Sequence, residues 1–163
     1  MNNALSDVVR KTLLRAIYIE ARNGGVYDTL AQLFQGYDNS VTDIFVEMAA
    51  EERQHGALLE KLYGERFGAV PPPTEEPREV IEAPDLDDPE AFIFDSMTIV
   101  QALESGLRAE EGAREFYSRE AERTPDPSLQ KQYRELGEFE EDHVRRLKGK
   151  LAEKRRQRDS TAR

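Results

Sequence analysis

Four times along this chain, an apolar stripe with the period of an α-helix is broken by a glutamate. The first stripe, Leu13, Ile17, Gly24, Tyr27 and Ala31, carries Glu20 three residues after Ile17 and seven before Tyr27. The second, Val41, Phe45, Met48, Leu59 and Leu62, carries Glu52, with His55 three residues further on. In the third, Ile99, Val100, Leu103, Leu107, Ala113, Tyr117 and Ala121, the interruption is Glu110. In the fourth, Leu129, Tyr133, Leu136, Val144, Leu147 and Leu151, it is Glu140, followed at the same interval by His143. Residues three or four apart share a helix face, so each glutamate points where the leucines point. Whatever this chain folds into must bury four carboxylates in its core, and a buried charge is costly unless something compensates it.

The interruptions form a repeat. Glu-x6-Tyr occurs as Glu20 with Tyr27 and again as Glu110 with Tyr117, while Glu-x-x-His occurs as Glu52 with His55 and as Glu140 with His143. The two glutamates of each half are separated by 32 residues in the first and 30 in the second. The pattern is that of a duplicated helical hairpin with a pseudo-twofold axis. A single Glu-x-x-His is weak evidence and a lone core histidine is usually structural, but here both of the chain's histidines sit in the motif. Unpaired, the four carboxylates would repel and would have to be largely protonated to fold. No Lys or Arg lies beside them on the stripes, and two divalent cations would solve the problem.

Oxygen donors with one imidazole per ion suit iron or manganese. The chain has no cysteine, which excludes disulfides, iron–sulfur clusters, thiolate-ligated zinc and a thiol nucleophile; no haem is expected. Four glutamates and two histidines on four helices is the ligand set of a dinuclear carboxylate bundle. In that reading Glu20 and Glu110 are terminal ligands, Glu52 and Glu140 bridge, and His55 and His143 cap one ion each. Tyr27 and Tyr117 either orient ligand carboxylates or are plain core aromatics. Glu51, Glu111 and Glu141 fall about 100° off the stripes and read as solvated surface. Glu47 and Glu104 are intermediate and could line an entry path for iron.

The stripes place the helices and hence the architecture. Segment A spans roughly residues 7–34. Segment B follows the turn GYDNS, with Asn39 or Ser40 as N-cap and Gly64 and Gly68 placed to close it. Between B and C lies AVPPPTEEPREVIEAPDLDDP, which holds six of the eight prolines and is too long for an ordinary turn. It reads as a crossover along the outside of a bundle, with an interdomain linker as the alternative. Asp88-Pro89 and Asp126-Pro127 each read as an N-cap followed by a first-turn proline, opening segments C and D. The expected fold is therefore all-α: a four-helix bundle over residues 1–153 with a long proline-rich crossover between helices 2 and 3. The basic end, 154–163, is expected as a frayed, solvated tail. A length of 163 residues suits one domain with a single core. The net charge of −10, spread along the helices, argues against nucleic acid as a ligand. Neither a signal peptide nor a membrane span is read, and a cytoplasmic location is expected.

These residues resemble the ferritin-like superfamily, in particular the rubrerythrin-type di-iron domain. The likeness covers nearly the whole chain and is carried by Glu20 with Tyr27, by FVEMAAEERQHGALLEKLYGERFG, by AEEGAREFYSREAERTPDPSLQ and by ELGEFEEDHVRRL. The second of these motifs is similar to the ferritin-like domain that some bacteria fuse to a vacuolar-iron-transporter-type membrane domain. The resemblance implies a non-haem di-iron site, frequent homodimerisation, and oxidation of Fe²⁺ with reduction of O2 or H2O2. An iron-binding or iron-sensing module acting with a partner is the alternative. Rubrerythrins proper carry a cysteine-rich rubredoxin domain, so without cysteines the electrons would come from an external donor or from Fe²⁺ itself. They also carry a further glutamate near the third-helix ligand. Here Leu107 and Ala113 occupy the positions one turn either side of Glu110, which makes peroxide reduction by a redox-linked ligand exchange a weaker expectation.

Overall fold

A computed structural model describes residues 3–72 and 96–162. They form four helices: α1 (Asn3–Phe34), α2 (Asn39–Phe67), α3 (Ser96–Arg123) and α4 (Pro127–Thr161). The first and second pack along their lengths as one hairpin, the third and fourth as another. Cross-hairpin contacts run α1 against α3 and α2 against α4 in antiparallel fashion. Tyr27 meets Gly106 and Tyr117 meets Glu20, while Lys154 meets Asp38 and Arg66 meets Asp126. The end of α2 and the start of α3 therefore sit at opposite ends of the bundle. The expected proline-rich crossover, and the Asp88-Pro89 start expected for the third helix, lie outside the described residues. No described helix is long and apolar enough to cross a membrane.

Local chemistry accounts for the boundaries. Asp126 caps α4 as the sequence suggests, its Oδ1 accepting from the backbone N–H groups of Ser128 and Leu129, with Pro127 in the first turn. The cap of α2 is Asp38 rather than Asn39 or Ser40: its carboxylate accepts from the N–H of Val41, and Ser40 donates to it from its own side chain. A carboxylate at this point also meets the positive end of the helix dipole, which the amide of Asn39 would not exploit. At the other end Gly68 takes φ 85°, which only glycine adopts freely, and its N–H caps the carbonyl of Gly64, which stays inside the helix.

The expectation of a frayed tail is corrected: α4 continues to Thr161. Lys154 is only 9% exposed, and its ammonium lies 2.6 Å from Asp38. Asp38 thus caps one helix and anchors the far end of another. Burial would raise its pKa, but Lys154, Ser40 and the Val41 N–H outweigh that and hold it below the ordinary 3.8. Its contribution is therefore present above pH 3.8 and lost as pH falls through the depressed value. Asp38→Ala should destabilise the protein by about 1–2 kcal/mol at pH 7, and urea titrations should show the difference shrinking at acid pH. An equal difference at all pH values would contradict this role.

Two apolar clusters fill the bundle. One joins Leu13, Ile17, Leu59, Phe116, Tyr117, Leu129, Tyr133 and neighbours. The other joins Tyr27, Phe34, Phe45, Met48, Leu103, Leu147 and neighbours. At roughly 1.5–3 kcal/mol for each fully buried large apolar side chain, these clusters dominate the folding free energy. Between them lies a layer of polar side chains.

Candidate metal centre

That layer holds the four stripe-breaking glutamates and both histidines. Glu20, Glu52, His55, Glu110, Glu140 and His143 are all buried, His55 the least so at 7% exposed. Each helix contributes at mid-length. The helices α1 and α2 pack closely at this level: a Cβ on Gly24 would lie 3.5 Å from the Glu52 Cβ, in van der Waals contact.

The geometry divides the six residues into two overlapping sets. His55 Nδ1 lies 3.3 Å from Glu20 Oε2, 3.5 Å from Glu52 Oε2 and 3.7 Å from Glu140 Oε1. His143 Nδ1 lies 3.1 Å from Glu110 Oε2, 3.2 Å from Glu52 Oε1 and 3.3 Å from Glu140 Oε2. Glu52 and Glu140 each turn one oxygen to either histidine, whereas Glu20 faces only His55 and Glu110 only His143. In each set the four donor atoms lie within 4.8 Å of one another, a spacing compatible with a shared cation. The imidazole rings are 5.9 Å apart between centroids.

The donors themselves are short of partners. Glu20 Oε2, both oxygens of Glu52, both of Glu140 and His55 Nδ1 are buried without a hydrogen bond among the described residues. Buried polar atoms are nearly always satisfied, so a group of orphans aimed at common points fits a cation better than a finished protein network. Their protonation behaviour agrees. Burial first, and then the neighbouring Glu52, pushes the carboxyls of Glu20 and Glu140 well above the usual range. Glu52 goes the other way: burial would raise it, but the adjacent Glu20 and the positive charge of the two histidines hold it below the usual range. Burial opposes the charging of His55, yet Glu20 and Glu52 lift it to about 9, and His143 is raised further by Glu110, Glu140 and Glu52. Without a metal, protons must supply the positive charge the carboxylates need. Iron and manganese are suited to this set of oxygen donors with one imidazole on each side.

Around this layer the structure decides what the sequence leaves open. Tyr27 and Tyr117 are fully buried, and their hydroxyls donate across the bundle, Tyr27 to Glu110 and Tyr117 to Glu20. Each tyrosine serves the other hairpin's glutamate rather than its own. Burial and the adjacent carboxylates push both phenols well above 10, so they remain donors at neutral pH.

Glu51 does not fit its reading as plain surface. It is half-exposed, but its Oε2 lies 2.7 Å from His143 Nε2, and Arg146 bonds to the same oxygen. The helical wheel places Glu51 off the apolar stripe correctly. What it cannot show is that α4 passes close enough on that side for a long side chain to reach. Glu111 and Glu141 do pair on the surface, with Lys148 and Arg114. Glu47 is exposed beside Arg146, and Glu104 pairs with Arg155. Phe139, which no motif singles out, stands 53% exposed with its ring 5.0 Å from that of His55.

Comparison with known proteins places this arrangement. The family model described as Rubrerythrin matches residues 11–151, the span that holds all six clustered residues. A solved structure of a hypothetical protein from Pyrococcus furiosus is similar, with a TM-score of 0.70 and 25% identity over 88% of this chain and 87% of that one. No curated protein matches.

Proposed function

The chain belongs to the rubrerythrin family, and on that premise we propose that it is a non-haem di-iron oxidoreductase that oxidises Fe²⁺ while reducing O2 or H2O2. The observation that carries the proposal is the sharing of Glu52 and Glu140 between two histidine-capped sets of donors. On this reading Glu20 and His55 would hold one ion and Glu110 and His143 the other, with Glu52 and Glu140 shared between the two sets. Iron bound there would supply the electrons that reduce the oxidant.

The chain's own residues set the conditions for that chemistry. Carboxylates bind in more than one mode, so four of them can absorb a change in cation charge without rebuilding the bundle. The hydroxyls of Tyr27 and Tyr117 fix the outer oxygens of Glu110 and Glu20 and leave the inner ones to bind. The two apolar clusters seal the layer above and below, which strengthens every electrostatic contact within it.

Anaerobic titration with Fe²⁺ followed by exposure to O2 or H2O2 tests the proposal. Two irons per chain and oxidant-dependent Fe²⁺ oxidation are expected, and Glu52→Ala or Glu140→Ala should abolish two-iron loading. A variant that still bound two irons and oxidised Fe²⁺ at the wild-type rate would sink the assignment. Repeated turnover with an external reductant supports an enzyme, whereas a single stoichiometric oxidation points to an iron-binding module.

A further inference from the structure

The inner layer is nearly twofold symmetric, but its surroundings are not. The pseudo-twofold pairs Glu20 with Glu110, Glu52 with Glu140, His55 with His143 and Tyr27 with Tyr117. The residue before each shared glutamate is then Glu51 on α2 and Phe139 on α4. Each reaches across to the other hairpin's histidine: Glu51 Oε2 to His143 Nε2 at 2.7 Å, and the Phe139 ring to the His55 ring at 5.0 Å. The residue three positions after each histidine differs in the same sense. On the His143 side it is Arg146, which bonds Glu51, while on the His55 side it is Leu58, 38% exposed. One half of the site thus has a carboxylate–guanidinium pair behind its imidazole, and the other has two apolar side chains at the matching positions.

The difference has a chemical consequence. A carboxylate oxygen accepts, so Glu51 holds a hydrogen on His143 Nε2 and leaves Nδ1, which faces Glu52, Glu110 and Glu140, as the nitrogen that gives up its proton to a metal ion. A carboxylate on the far nitrogen holds the ring in its ligating orientation and makes it a better donor. Arg146 is held in turn by Asp142 at 3.3 Å and Glu47 at 3.6 Å, so Glu51 is set before any ligand arrives. The carboxylates paired with His55 among the described residues are Glu20, Glu52 and Glu140, each through Nδ1 on the inner side, and His55 is the most exposed of the six.

We propose that Glu51 is a positioning residue that makes the two metal positions unequal: the Glu110–His143 position fills first and holds its ion, and the Glu20–His55 position is the weaker, exchangeable one. The inference rests on the two-metal reading above, and the test separates the two. The probe is Co²⁺ alone, titrated anaerobically into the full-length metal-free protein and followed by calorimetry and visible absorption.

Wild-type protein should take up Co²⁺ in two resolved steps whose affinities differ by about tenfold or more. In Glu51→Gln the tighter step should weaken by about 10–100-fold, so that the two steps merge while the stoichiometry stays at two. Phe139→Ala should leave the tighter step in place. Proton NMR of the Co²⁺-loaded wild type adds a readout that a purely structural role would not move. One paramagnetically shifted imidazole N–H, that of His143, should exchange slowly with solvent, and its exchange should quicken in Glu51→Gln. Two indistinguishable steps in wild type, or an unchanged tighter step in Glu51→Gln, overturn the inference while leaving the two-metal reading intact. Failure of wild type to bind Co²⁺ at all overturns both.

Discussion

Removing metal from the loaded protein is expected to lower its thermal midpoint by about 10–20 °C. A ligand that binds only the folded state stabilises it by about 2.7 kcal/mol per site at a hundredfold excess over its dissociation constant. Two such sites contribute about 5 kcal/mol, and a domain of this length shifts by about 2–4 °C per kcal/mol. The physical source is the layer between the two apolar clusters. Six orphaned donor atoms gain partners, and the carboxylates no longer oppose one another across the core. Calorimetric melts in Fe²⁺ or Mn²⁺ under anaerobic conditions, repeated after chelation, measure the effect. A difference below about 3 °C would mean that the layer is satisfied without metal, and the site assignment would fail with it. Glu140→Ala serves as the control, because its melt should respond weakly to metal.

A second large effect concerns the metal-free protein, which should become less stable as pH rises from 6 to 8. Glu20 and Glu140 have folded pKa values raised above the ordinary 4.5, chiefly by burial and then by Glu52. A group shifted in that direction contributes its full stability below 4.5 and loses it as pH rises. His55 and His143, raised by the surrounding glutamates, act in the same sense: their contribution is complete below 6.5 and, for His55, is lost as pH climbs through about 9. Glu52 is depressed, so its contribution is already in place above 4.5 and does not change over this window. A single group that keeps its proton only in the folded state costs about 1.4 kcal/mol per pH unit. Over two units even one such group lowers the midpoint by roughly 6 °C or more. Metal displaces these protons, so the loaded protein should show the opposite slope. Melts of both forms at pH 6, 7 and 8 decide the matter. Parallel pH profiles would show that protons and metal do not compete for the same atoms.

Much of the fold and of the candidate site is legible in the sequence because both rest on period. A stripe spaced at three and four residues is a property of the chain, and so is a glutamate that breaks it. Spacing alone picks out Glu20, Glu52, Glu110 and Glu140, and local chemistry picks out Asp126 with Pro127 at the head of α4. Where two neighbouring residues compete for a boundary role, as Asp38 and Asn39 do, the outcome turns on small differences in helix-end electrostatics that the pattern does not register. The basic end misleads because charge suggests solvent, while Lys154 has a buried partner far away in sequence.

Helical spacing by itself determined which residues face the core, that they repeat in two halves, and that four carboxylates must share an interior needing positive charge. Tertiary structure decided what spacing along one helix cannot encode, namely contacts that depend on how one helix passes another. It paired Tyr27 with Glu110 and Tyr117 with Glu20 rather than each tyrosine with its own helix. It also brought Glu51 to the back of His143 and Phe139 to the face of His55, and so gave unequal surroundings to two positions that the repeated motif had made look alike.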